Sequence, residues 1–225
     1  MRTASPLAPA VKAITRLDDW IEKTYRQSRK SGHPEKNHLS STIALYLYGR
    51  SFFLEDKAVD AKHQEAVKYF QDQARKYWLD LGVRQSQGHI AIALNRFGDT
   101  ETPQAILKSL KERSVTDDEL GMFWRDLELS WWWFRAPIET QALMIEAFEE
   151  VAHDEQAVED LKVWLLKQKQ TQDWKTTKAT ADAVYALLIR GGLDVLASAE
   201  LVAVQMGGKA LQPGTWGAGT GFWAE

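Results

Sequence analysis

Apolar residues along this chain fall into two kinds of run, and the two kinds alternate. Leu7, Val11, Ile14, Leu17, Ile21 and Tyr25 recur at helical spacing and give one apolar stripe on a charged helix. Ser5 and Pro6 stand before it as an N-cap followed by proline at the first helical position. After a break at residues 31–37, residues 43–48 are apolar on every side, which predicts a helix buried all round. Asp60 then stands as the cap of a striped helix carrying Ala66, Val67, Phe70, Ala74, Tyr77, Trp78 and Leu81, which Gly82 ends. Residues 88–94 are again wholly apolar, and Gly98-Asp99 stops them.

The alternation continues. Thr102-Pro103 starts a striped helix through Ile106, Leu107 and Leu110, and residues 114–136 read as a long connection, acidic and then aromatic. Pro137 opens a mostly apolar helix to Val151, and Asp154 caps a striped one with Val158, Leu161, Trp164 and Leu165. Residues 179–189 are apolar nearly all round and close on Arg190-Gly191-Gly192. Two segments repeat the same order of parts: tryptophan, a short polar turn, a threonine (Thr140, Thr180) and an apolar helix. In a simple bundle every helix carries one stripe. Strict alternation predicts two layers instead, with buried inner helices wrapped by amphipathic outer ones. The expected fold is therefore all-α: an α/α toroid, or a partial ring of helical hairpins, over residues 1–192. A tetratricopeptide-type superhelix fits less well, because both helices of its repeat keep an exposed face.

Residues 193–225 change register. Val202, Val204 and Met206 alternate with Leu201, Ala203 and Gln205, and Gly207-Gly208 follows, which predicts a strand and a turn. This tail reads as the start of an adjacent β domain. The chain opens on an outer helix and ends on a strand, so a fragment of a larger protein is expected.

Composition changes this picture only at the edges. Hydrophobic residues make up 44% and charged residues 26%, enough apolar material for a sizeable core. A net charge of −3 and the lack of a basic face with interleaved aromatics argue against nucleic-acid binding. With Cys 0, disulfides, thiolate metal sites and cysteine nucleophiles are excluded within the chain. No apolar run reaches membrane-spanning length, so direct membrane insertion is not expected, and the start of the chain lacks the apolar core of a signal peptide.

The candidate chemistry is sparse. His33 and His38 lie in a turn without a third ligand beside them, and His63, His89 and His153 read as structural histidines, with a general-base role for His89 or His153 as the sharper alternative. Asp117, Asp118, Glu119, Asp126 and Glu128 form acidic clusters that read as solvated loop acids. The DxDD motif of terpene-cyclase toroids is absent, the zinc set of protein prenyltransferases needs a cysteine, and glycosidase toroids need two opposed carboxylates. The ten tryptophans are the better lead. Trp124, Trp131, Trp132, Trp133 and Trp174 stand before or beside the starts of inner helices, where rim packing or docking of a neighbouring domain is expected.

The string from Trp131 to Leu188, and above all TQDWKTTKATADAVYALL at residues 171–188, resembles the thioester-domain region of bacterial α2-macroglobulin-like proteins, particularly the large Bacteroidetes forms. The resemblance covers roughly residues 1–190, and residues 199–211 are similar to the return strand of the β domain into which that family's thioester domain is inserted. It implies a non-enzymatic, structural part of a cell-envelope protease inhibitor, periplasmic or attached to the outer membrane. In such a trap, bait cleavage rearranges the molecule around the attacking protease. Its implied partners are neighbouring macroglobulin and β domains of the same protein and, through the whole molecule, target proteases; no cofactor or metal is implied. The family's CxEQ thioester motif needs a cysteine, and this chain has none. The rival expectations are a toroid enzyme acting on an isoprenoid or glycan, and a passive protein-interaction scaffold.

Overall fold

The structure, a computed structural model, describes residues 7–30, 32–33, 35–125, 137–171, 174, 176–189, 204–206 and 209–211. The chain divides into two compact units, Met1–Leu187 and Leu188–Glu225. Among the described residues there are eight α-helices: α1 (Leu7–Lys30), α2 (Ser41–Ser51), α3 (Ala61–Tyr77), α4 (Arg84–Arg96), α5 (Glu101–Glu112), α6 (Pro137–Ala147), α7 (Glu155–Thr171) and α8 (Thr177–Leu188). A hairpin, β1 (Val115–Asp117) and β2 (Gly121–Phe123), lies between α5 and α6. In the second unit β3 (Val204–Met206) pairs antiparallel with β4 (Lys209–Leu211), with Gln205 opposite Ala210. This hairpin falls on the alternating tail. Among the described residues no helix is long and apolar enough to cross a membrane.

Short polar side chains fix the helix starts. The Ser40 hydroxyl accepts from the Ile43 amide at 3.3 Å at the head of α2. One Asp99 oxygen accepts from the amides of Glu101 and Thr102, both at 3.1 Å, while Arg75 of α3 donates to the other at 2.7 Å. Asp154 and Thr176 cap α7 and α8 through the amides of Ala157 (3.1 Å) and Ala179 (3.0 Å). Asp60 stands before α3 without a side-chain cap bond, and its carboxylate is turned to Lys57 instead. Ser5 and Pro6 lie outside the described residues.

Cross-helix neighbours advance together along alternate helices. Tyr48 of α2 lies against His89 of α4, and the next residues of that seam, Phe52 and Arg96, meet in turn. Gly88 of α4 faces Leu143 and Met144 of α6, and Arg96 reaches Glu146 and Glu150. So α2, α4 and α6 run parallel. The same holds for α1 and α3, where Asp19 meets Lys62 and His63, and Tyr25 meets Glu65 and Tyr69 further on. Helix α4, between α2 and α6, carries the centre of the core: Ile90, Ala91, Ile92, Ala93 and Leu94 are all 0% exposed. Each buried isoleucine or leucine among them stabilises by about 1.5–3 kcal/mol relative to exposure.

In α2, residues 43–48 are not buried all round, since Leu45 is 41% exposed and Tyr48 is half-buried, and three further expectations change on contact with the structure. In α1 the buried face is Ile14, Asp18, Ile21 and Tyr25, while Leu17 is 43% exposed. A charged residue holds the stripe because Arg50 and Tyr46 of α2 meet it there. Helix α8 is not buried all round: Ala179, Ala183 and Ala186 are buried, whereas Val184, Tyr185 and Leu188 are 44%, 52% and 36% exposed. Its alanines form the packing face, and its larger side chains lie elsewhere.

The third change is the hairpin, which stands where a plain connection was expected. An Asp117 oxygen accepts from the amides of Glu119 and Leu120, both at 2.9 Å, and Gly121 closes the turn at φ 73°. Strand β2 is buried against α7, with Phe123 stacked on Trp164. Gln141 of α6 fastens both, donating from Nε2 to the carbonyls of Met122 (2.8 Å) and Leu161 (3.1 Å).

Candidate functional site

The parallel helices α2, α4 and α6 bring their polar residues together at one end. Arg96, in the last turn of α4, donates from Nε to Glu150 Oε1 at 2.8 Å and from Nη2 to Glu150 Oε2 at 2.5 Å. The same Nη2 reaches Glu146 Oε1 at 2.8 Å, and Nη1 reaches the Ser51 hydroxyl at 3.4 Å. The guanidinium lies 4.1 Å from the centre of the Phe52 ring and 5.7 Å from that of Tyr48. Tyr48 donates its hydroxyl to Glu146 Oε2 at 2.7 Å, and its ring packs on His89 with centroids 4.7 Å apart. One cation thus joins three helices, and the bidentate grip on Glu150 fixes its plane.

Burial sets the electrostatics. Glu146 is 3% exposed, and desolvation holds its carboxyl above the usual range although Tyr48 and Arg96 pull it down. The Tyr48 phenol is raised by burial first and by the Glu146 charge second. The His89 imidazole is pushed down to about 4, by burial first and by the Lys178 ammonium second. His89 is therefore neutral at pH 7. Unfolding restores its ordinary value of 6.5, so between pH 6.5 and about 4 the unfolded chain binds the extra proton and stability falls as pH falls. Such a displacement carries ~3 kcal/mol, trimmed to roughly 2 because part of the ring remains in solvent. Glu146 works in the opposite sense, because its raised value favours the acid form of the folded state. The measurement is accordingly a comparison: denaturant titrations at pH 7 and 4.5 on the parent and on His89→Gln. The variant is expected to lose less stability on acidification; equal losses would take His89 out of the acid response.

Of the tryptophans expected at the rim, the structure describes Trp124 and Trp174. Trp124 is 1% exposed, donates from Nε1 to the Leu110 carbonyl at 3.0 Å and lies beneath the Arg84 guanidinium. Trp174 is 9% exposed, bonds to the Leu165 carbonyl at 3.4 Å and carries the Lys169 ammonium 5.7 Å from its ring centre. It also lines an open groove of about 800 Å³ with Thr176, Thr177, Thr180, Val184 and Tyr185. Trp131, Trp132 and Trp133 lie outside the described residues, as do Asp126 and Glu128.

The other histidines are engaged locally. His38 pairs with the Tyr69 hydroxyl at 2.6 Å, His33 with Glu35 at 3.2 Å and His63 with Asp19 at 2.9 Å, while His153 takes a left-handed backbone at φ 51°. Among the described residues no group of three His, Asp or Glu side chains is arranged to hold a metal.

Tyr48, Arg96, Glu146 and Glu150 were not singled out by sequence reasoning. A signal was present: Glu146 interrupts an otherwise apolar helix, and Arg96 ends one. A charge on a buried helix needs a partner on its neighbour. Comparison of the chain with family profiles, with curated proteins and with solved structures finds no match.

Proposed function

We propose that this chain is part of an α/α toroid of the α2-macroglobulin-like kind, a non-catalytic element of a cell-envelope protease trap. One observation carries the non-catalytic half of this reading. The two carboxylates at the joined ends of the inner helices, Glu146 and Glu150, stand on one helix and are both gripped by Arg96. A toroid glycosidase needs two carboxylates facing each other across the substrate, one of them free to give a proton. Here the pair lies side by side and serves packing. The toroid half is supported by the parallel run of α2, α4 and α6, with α5 packed on α4 and α7 packed on α6. The trap itself is carried by the resemblance of residues 137–188, and with it the envelope location and the neighbouring macroglobulin domains.

The test uses the full protein encoded by the gene, mixed with a panel of endoproteases. Digestion of a large protein substrate is expected to be suppressed while cleavage of a small chromogenic peptide continues, the pattern produced by steric enclosure. If both substrates are cleaved as before, or both are blocked, the trap reading falls. Turnover of a prenyl diphosphate or an oligosaccharide would put a toroid enzyme in its place.

A further inference from the structure

We propose that residues 148–153 form a charge-gated hinge of the inner layer: Arg96 holds the end of α6 on α4, and its release opens this end while the helices behind it stay folded. The hinge is independent of the trap reading, since it rests on the packing of this chain alone.

Apolar anchoring stops where the hinge begins. Residues 140–148 of α6 and its continuation are buried without interruption, as are residues 90–94 of α4 facing them. Past Phe148 only Val151 is buried; Glu149, Glu150 and Ala152 are half-buried and His153 is exposed. What holds this stretch is mostly polar. Arg96 takes Glu146 and Glu150, Gln104 donates to the Val151 carbonyl at 2.5 Å, and Lys111 pairs with Asp154. From α2, Ser51, Tyr48 and Phe52 close around the same guanidinium.

The backbone is also irregular there. Phe148–Ala152 is a π-helical turn, a form found mostly as single insertions in α-helices. It ends at His153 with φ 51°, a left-handed conformation that costs a non-glycine residue energy. The Asp154 amide returns to the Phe148 carbonyl at 3.2 Å and closes the loop on itself. A strained segment pinned by ion pairs, next to helices pinned by apolar packing, is the arrangement in which a local unit opens below the global transition.

Native-state hydrogen exchange followed by mass spectrometry on this chain decides it, with peptides spanning 145–153 compared against 88–94. Glu150→Gln removes one grip and leaves the Arg96–Glu146 pair in place; Arg96→Met removes both. Both variants are expected to exchange at least about tenfold faster over 145–153, the scale of a lost charge-assisted hydrogen bond, with parental protection kept over 88–94. If Arg96→Met fails to fold, Glu150→Gln decides alone. Unchanged protection over 145–153, or a loss that moves in step with 88–94, overturns the hinge.

Discussion

Replacing Arg50 by methionine is expected to lower the unfolding free energy by about 3–5 kcal/mol, the scale for removing one partner of a buried ion pair. Arg50 and Asp18 are both 0% exposed, with Nε 3.1 Å from Asp18 Oδ1. Tyr46 donates to the same oxygen at 2.7 Å, and the phenol is raised far above its usual value, by burial first and by this carboxylate second. The other guanidinium nitrogens hold the chain beyond α2, reaching the carbonyls of Phe53 (3.3 Å) and Lys57 (2.7 Å). Without Arg50 the carboxylate between α1 and α2 keeps one hydroxyl partner and no cation. The cost comes from this stranded charge more than from the lost attraction, so the triple variant Asp18→Leu, Tyr46→Phe, Arg50→Met is expected to regain at least half of the loss. Denaturant unfolding of both variants checks this. A cost below about 1 kcal/mol for Arg50→Met would mean that the carboxylate finds water and the cluster is not dry. Failure of the triple variant to recover would shift the weight to the two carbonyl contacts.

Gly121→Ala is the second large loss, expected at about 3–5 kcal/mol from two separate causes. The residue sits at φ 73°, where a side chain strains the backbone. A Cβ there would also fall 2.1 Å from the Asp160 carbonyl oxygen of α7 and 3.0 Å from Val163 Cβ. The oxygen belongs to a helical backbone and has no room to yield. Gly98 separates the causes: it has φ 90° with nothing within 4 Å of a built Cβ, so Gly98→Ala reports strain alone, about 1 kcal/mol. Equal losses in the two variants would show that β2 moves off α7 at little cost.

Much of the helical order was legible because it follows from spacing. In the stripe of α3, Ala66, Val67, Phe70 and Ala74 are buried while Tyr77, Trp78 and Leu81 are half-buried. Residues 90–94 of α4 are buried as their pattern requires, although His89 is half-buried, and Gly82 and Gly98 take left-handed turns after the helices they end. The errors arise where tertiary partners override the pattern. Leu17 fits the α1 stripe by spacing, yet Asp18 takes the inner face because α2 supplies a guanidinium and a phenol, which no periodicity within α1 reveals. The β1–β2 hairpin hid inside an acidic stretch of 3-residue strands, too short for alternation to register. Its turn chemistry, an aspartate followed four residues later by glycine, was the legible part. The Arg96 cluster depends on register between three helices distant in sequence, so only its need for a partner was readable in advance.

The shared direction of α2, α4 and α6 has an electrostatic consequence. Each helix carries roughly half an elementary charge at its ends, negative at the C-terminus. In an ordinary antiparallel bundle neighbouring poles cancel; here the layer of α2, α4 and α6 adds them. The negative poles of α2 and α4 end at Arg50 and Arg96, so the layer carries its guanidinium groups where its own backbone field most favours a cation. The opposite end of the same helices gathers positive potential. An anion approaching the layer therefore meets two different faces: a favourable field at the helix starts, and a backbone field of opposite sign, masked by arginine, at the helix ends.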